Sequence, residues 1–109
     1  MPMKTTRLMD LAHIVRSKNS GPFELTLDVF FKTPEIYQRA KERNLISAEL
    51  IGRLYRVSRE EILDIIYFDP VRAAKATIRR PVGSGSFDDT DVYGAQQHMP
   101  LVDAEVPWD

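Results

Sequence analysis

The chain has 109 residues, 43% hydrophobic and 28% charged, with 15 Lys and Arg against 16 Asp and Glu. That is the length of one domain with a modest core, and its net charge of −1 argues against bulk nucleic-acid affinity. The absence of cysteine excludes disulfides, thiolate metal sites and cysteine nucleophiles, and no apolar run has the length of a membrane span.

Residues 1–7 read as an N-terminal extension. The apolar stretch behind them is short and broken by Asp10, which is no secretory signal, so the cytoplasm is the expected compartment. Leu8 to Arg16 reads as a first strand with apolar residues on both faces, as in a doubly covered strand. Ser17-Lys18-Asn19-Ser20-Gly21-Pro22 is turn chemistry. Phe23 to Phe31 is the clearest strand: Phe23, Leu25, Leu27, Val29 and Phe31 point one way, and Glu24, Thr26 and Asp28 the other. The intervening link predicts an antiparallel hairpin.

Thr33-Pro34-Glu35 starts a helix, with Thr33 as cap and Pro34 in the first turn. Ile36, Tyr37 and Ala40 share its inner face, and Asn44 suits its end. Ser47 caps a second helix, with Ile46 and Ile51 placed for a staple and Leu50, Leu54 and Tyr55 completing the apolar stripe. Ser58-Arg59-Glu60-Glu61 matches a capping box. We read it as a turn before a strand, Ile62 to Phe68, because that run is β-branched, aromatic and stops at Asp69-Pro70. Asp69 then caps a short helix from Pro70, with Val71, Ala74 and Ile78 inward, ended by Pro81. Leu101 to Val106 alternates as a last strand. The order of elements predicts an α+β fold: one antiparallel sheet covered on one face by helices, in a single domain spanning 1–109.

The charges are unevenly spread. All Lys and Arg lie before residue 81, whereas residues 81–109 carry six acidic side chains. Residues 81–100 fit no helix or strand pattern. Linkers without structure are poor in aromatics, yet this stretch holds Phe87, Tyr93, Gln96, Gln97 and His98 and no lysine. We expect an ordered polar loop that works at a site or an interface.

Three groups are candidates for chemistry. His13 with Arg16, Lys18, Asn19, Ser20 and Gly21 suits proton transfer beside a carboxylate or phosphate anchor, or else a hydrogen-bonded sheet histidine next to a solvated turn. Gly83, Ser84, Gly85 and Ser86 could turn backbone amides toward an anion, or simply link, and the Lys-Ser/Thr pair of a phosphate-binding loop is missing. Asp88, Asp89, Asp91 and His98, with Tyr93, Gln96 and Gln97 between, bring oxygen and nitrogen donors without a diagnostic metal spacing. No metal or cofactor is expected. Arg53, Arg56 and Arg59 form only a local basic edge, so neither a nucleic acid nor a membrane is expected as partner.

Asp10-Leu11-Ala12-His13, followed by Arg16-Ser17 and Lys18 to Gly21, resembles the opening of the AtuA-like ferredoxin-fold domain, which begins Asp-Leu-Ala-His and continues Arg-Ser-Gly-Asp-Lys-Gly. Here one extra residue separates His13 from Arg16. The whole chain, above all Gly83 to His98, looks like a compact bacterial family of unassigned function, commonly encoded beside a large protein of the acyclic-terpene-utilisation type. The resemblance implies a ferredoxin-like sandwich and the role of small subunit to a larger AtuA-type protein. It further implies a lyase or hydratase acting on acyl-CoA or branched carboxylic acids. On that view His13 transfers protons, Arg16 and Lys18 anchor a carboxylate or phosphate, and Asp88, Asp91 and His98 serve the loop. The competing reading is a non-catalytic homo-oligomeric ligand-binding or scaffold module.

Overall fold

A computed structural model of the chain describes residues 4–21, 23–79 and 99–108, with the side chains of Ser20 and Met99 outside that description. The protein is an α+β sandwich, as a ferredoxin-like arrangement requires. An antiparallel sheet of order β2-β3-β5-β4 carries helices on one face. Two hairpins, β2 (Ala12–Gly21) with β3 (Glu24–Phe31) and β4 (Ile62–Phe68) with β5 (Ala73–Arg79), are joined by α2 (Pro34–Glu42) and α3 (Ala48–Tyr55). A short helical turn, α1 (Leu8–Leu11), precedes the sheet. A separate ribbon pairs β1 (Thr5–Arg7) with β6 (Glu105–Pro107), which follows the short α4 (Met99–Val102).

The core follows from the period of two in the central strands. Leu25, Leu27, Val29 and Phe31 are buried on β3, and Ala74, Ala76 and Ile78 face them from β5. Tyr37, Ala40, Leu50 and Ile51 close this layer from the helices. Leu8, Leu101 and Val106 join the same core, so the segments that carry β1 and β6 are held by burial as well as by the ribbon.

The helix ends obey local chemistry. The Thr33 hydroxyl accepts from the Ile36 amide at 3.1 Å, and the Ser47 hydroxyl accepts from the Leu50 amide at 3.1 Å. Asn44 adopts φ 49° just beyond α2, a conformation asparagine tolerates better than most residues. Gly52 in α3 lies so close to the Val57 carbonyl that an added Cβ would stand 3.2 Å from it. The Ser58 amide donates to Glu61 Oε1 at 2.8 Å, but the box heads one turn, Arg59–Glu61, and β4 follows as expected.

Five expectations are corrected. Leu8–Leu11 coils because Leu8 and Leu11, three apart, are both buried while Asp10 is exposed; the strand begins only at Ala12. Ser17 to Gly21 belong to β2, so the hairpin link is shorter than the turn composition suggested. The helix from Pro70 is absent: Asp69–Val71 forms a single turn, Arg72 at φ 54° reverses the chain, and β5 follows. Ala74 and Ile78 are four apart and satisfy both periods; Ala76, buried between them, belongs only to the strand. The last strand is confined to Glu105–Pro107 because Met99–Val102 coils first. Thr5–Arg7, inside the expected extension, pair as β1.

Candidate functional site

The helices leave the second face of the sheet without a cover among the described residues. Strand alternation decides what stands there. Antiparallel register puts Arg16 opposite Asp28, Asp28 opposite Lys75, and Lys75 opposite Ile66. One residue pair along, Lys18, Thr26, Thr77 and Asp64 form the next row, and on the other side Ile14, Phe30, Ala73 and Phe68 form a third. Each row crosses all four strands, so a charged band runs beside an apolar band.

The charged band is built around a buried carboxylate. Asp28 is only 4% exposed, on the strand with neighbours on both sides. Arg16 Nε donates to Asp28 Oδ2 at 3.1 Å, and the Arg16 guanidinium lies 4.8 Å from the Phe30 ring centroid. The ring fixes the guanidinium plane and the carboxylate fixes its edge. Thr26 donates its hydroxyl to the Lys18 carbonyl at 3.2 Å, which satisfies the second buried polar side chain of β3.

Together the bands enclose a concavity of about 470 Å³. Arg16, Lys18, Asp28 and Lys75 supply its charges, and Phe30, Ile66, Phe68 and Val71 its apolar wall. Ile66 and Phe68 are 47% and 55% exposed. Water-facing phenylalanine and isoleucine beside three cations suit an amphipathic anion or a partner surface better than bulk solvent.

The expected site residues are distributed as follows. Arg16 and Lys18 line the concavity. His13 is exposed at a bulge of β2, its ring 6.2 Å from that of Phe30, at the margin of the same face. Asn19 stands in register with Leu25, on the alternate position from Lys18. Ser20 and Gly21 close β2, and the Ser20 side chain is outside what the structure describes. Gly83, Ser84, Gly85, Ser86, Asp88, Asp91, Tyr93, Gln96, Gln97 and His98 all lie outside the described residues. Asp28, Phe30, Ile66, Phe68 and Lys75 were not anticipated. The single lysine in the small, apolar run Ala73-Ala74-Lys75-Ala76 was the available signal.

A second polar cluster ties α2 to the β4–β5 turn. The Tyr37 hydroxyl donates to Asp69 Oδ1, and Lys41 Nζ lies 2.9 Å from the same oxygen. Burial, then the Asp69 carboxylate, pushes the Tyr37 hydroxyl up to about 12, while the Tyr37 and Lys41 bonds hold the Asp69 carboxyl below its usual value. Two pH limbs follow. Asp69 contributes stability above its unfolded pKa and loses it as pH falls through its lower folded value. Tyr37 contributes below 10.0, and that contribution fades as pH rises toward about 12. Urea midpoints measured across pH should show Asp69→Asn flattening the acid limb and Tyr37→Phe the alkaline one. Parallel curves for wild type and both variants would refute the latch. Beside it, the Tyr67 hydroxyl accepts from the Ile46 amide at 3.0 Å, holding the α2–α3 link against β4.

No described helix is long and apolar enough to cross a membrane. No curated protein and no solved structure matches the chain. A family model, Domain of unknown function (DUF4387), matches residues 8–105, a span from α1 to the start of β6 that takes in every strand of the main sheet. The chain therefore belongs to the DUF4387 family.

Proposed function

We propose that this domain is the small subunit of a heteromeric lyase or hydratase acting on acyl-CoA or branched carboxylic acid substrates, and that a larger AtuA-type protein completes its site. The observation that carries this reading is the sheet face left uncovered among the described residues, where Arg16, Lys18 and Lys75 border an apolar wall. An isolated domain of this size gains little by exposing Phe68 and Ile66, whereas a second subunit would bury them. In this reading His13, at the margin of the face, transfers a proton, and the cations bind the acid group.

The alternative, a homo-oligomeric binding or scaffold module, draws on the same exposed apolar residues. Its weakness is charge: the concavity carries three cations against one carboxylate, so two copies packed face to face would each bring an excess of positive charge to the interface. Co-expression with the AtuA-type protein of its own cell tests the preferred reading. The two chains should elute together in size-exclusion chromatography, and dehydration activity should require both. Separate elution, with light scattering showing a stable oligomer of this chain alone, would favour the alternative.

A further inference from the structure

The outer edge of β4 is a second unpartnered surface among the described residues, distinct from the open face. The main sheet ends at β2 on one side and at β4 on the other. A bare strand edge is a template for another strand, and proteins guard such edges with bulges and cations. β2 is guarded in this way: its register shifts near both ends, and Arg16 and Lys18 stand in its middle. β4 has one bulge, between Ile62 and Asp64, and no lysine, arginine or proline. Six of its seven residues are hydrophobic, yet none of the seven is buried, whereas four of seven are buried on β5.

We propose that β4 pairs antiparallel with β4 of a second copy, about a two-fold axis at Ile65, so that two four-stranded sheets become one. Ile65 is the middle residue of β4, so this register uses the whole length of the strand. It sets Asp64 opposite Ile66 of the second copy and keeps the two Asp64 carboxylates from facing each other. The row that holds Arg16, Asp28, Lys75 and Ile66 then continues into Asp64 of the second copy. Lys75 and that carboxylate are two strand spacings apart, about 10 Å between backbones, which a lysine and an aspartate side chain span together. The lysine stem covers Ile66 on the way. Among the described residues neither Lys75 nor Asp64 makes an ion pair in its own chain, and the two-fold gives each of them one. Pairing of β4 with β2 of another copy would be open-ended, and the bulges and cations of β2 oppose it. In the β4 dimer the open faces lie side by side rather than opposed, so their cations are not pressed together. The contact is made by backbone groups of the strand edge, which leaves the open face to a larger subunit.

Sedimentation velocity of the full-length chain alone tests this, with Asp64→Lys and Lys75→Glu as variants. At concentrations up to about 0.1 mM the wild type should sediment as a species of twice its 12.5 kDa mass. Each variant turns two attractions into two repulsions and should weaken the dimer about tenfold or more. An equimolar mixture of the two variants should restore it, because each chain then brings the charge that the other lacks. In the wild type, hydrogen exchange at the β4 amides should slow as concentration rises, while exchange along β2 stays the same. A monomer throughout that range, a mass beyond two copies, a dimer indifferent to both variants, or a mixture that stays apart overturns the assignment. So does protection that grows on β2 instead of β4. The larger subunit is absent from every arm, so failure here leaves the subunit reading standing, and failure of co-elution leaves this dimer standing.

Discussion

Phe31→Ala should lower the unfolding free energy by about 3–5 kcal/mol, the usual cost of deleting a fully buried phenylalanine ring. Phe31 is 0% exposed and ends the central strand β3. Its ring stacks at a tilt on Tyr37, with centroids 6.2 Å apart, and Tyr37 in turn meets Tyr67 at 6.4 Å. The Phe31 amide also donates to the Arg72 carbonyl at 3.0 Å, which holds the turn before β5. The ring thus links the sheet, α2 and the second hairpin. A domain of this kind is stable by about 5–15 kcal/mol, so the variant stands near the threshold of folding. Urea unfolding measures the loss directly. A decrease below about 1 kcal/mol would mean that the site collapses around the missing ring far better than this packing allows.

Ile66→Asp combined with Phe68→Asp should leave the fold standing and abolish association with the proposed larger subunit. Both side chains are about half exposed on β4, and the core positions of that strand are Ile62, Ile65 and Tyr67. Stability should fall by only about 1 kcal/mol for each substitution, from the poor strand propensity of aspartate. Association should suffer far more. Apolar anchors at the centre of an interface cost about 2 kcal/mol or more each when removed, roughly thirtyfold in affinity. Buried unpaired carboxylates add to that loss. Reversal of an exposed helix charge, Glu35→Lys, serves as the contrast. Co-elution retained in the double variant would exclude the open sheet face as the docking surface.

Much of the frame was legible in the chain because its signals are local. Thr33-Pro34 and Ser47 name their own helix starts, and the alternation of β3 and the β-branched run of β4 need no partner to be recognised. β5 was misread because Asp69-Pro70 imitates a helix start and its buried alanines give little contrast; only pairing with β3 and β4 settles it. β1 and β6 are three residues each and exist through each other, across nearly the whole chain. The same distinction governs the site. Arg16 and Lys18 stood out by type, but grouping them with Asn19 in a turn ignored the strand alternation that sets Asn19 in register with Leu25. Asp28 read as an outward-facing polar residue, yet it is buried because β2 and β5 flank it. Lys75, Ile66 and Phe68 meet Arg16 only across a four-strand register that no local pattern encodes.

The open sheet face is the centre of this account, and isoleucine methyl NMR interrogates it directly. Ile14 and Ile66 belong to that face, whereas Ile36 and Ile51 belong to the helix layer. On titration of the labelled chain with the proposed larger subunit, the Ile14 and Ile66 methyl signals should shift or broaden first while those of Ile36 and Ile51 stay in place. Perturbation confined to Ile36 and Ile51 would contradict the account, because the partner would then be reading the helices and the cation-lined concavity would lie outside the interface.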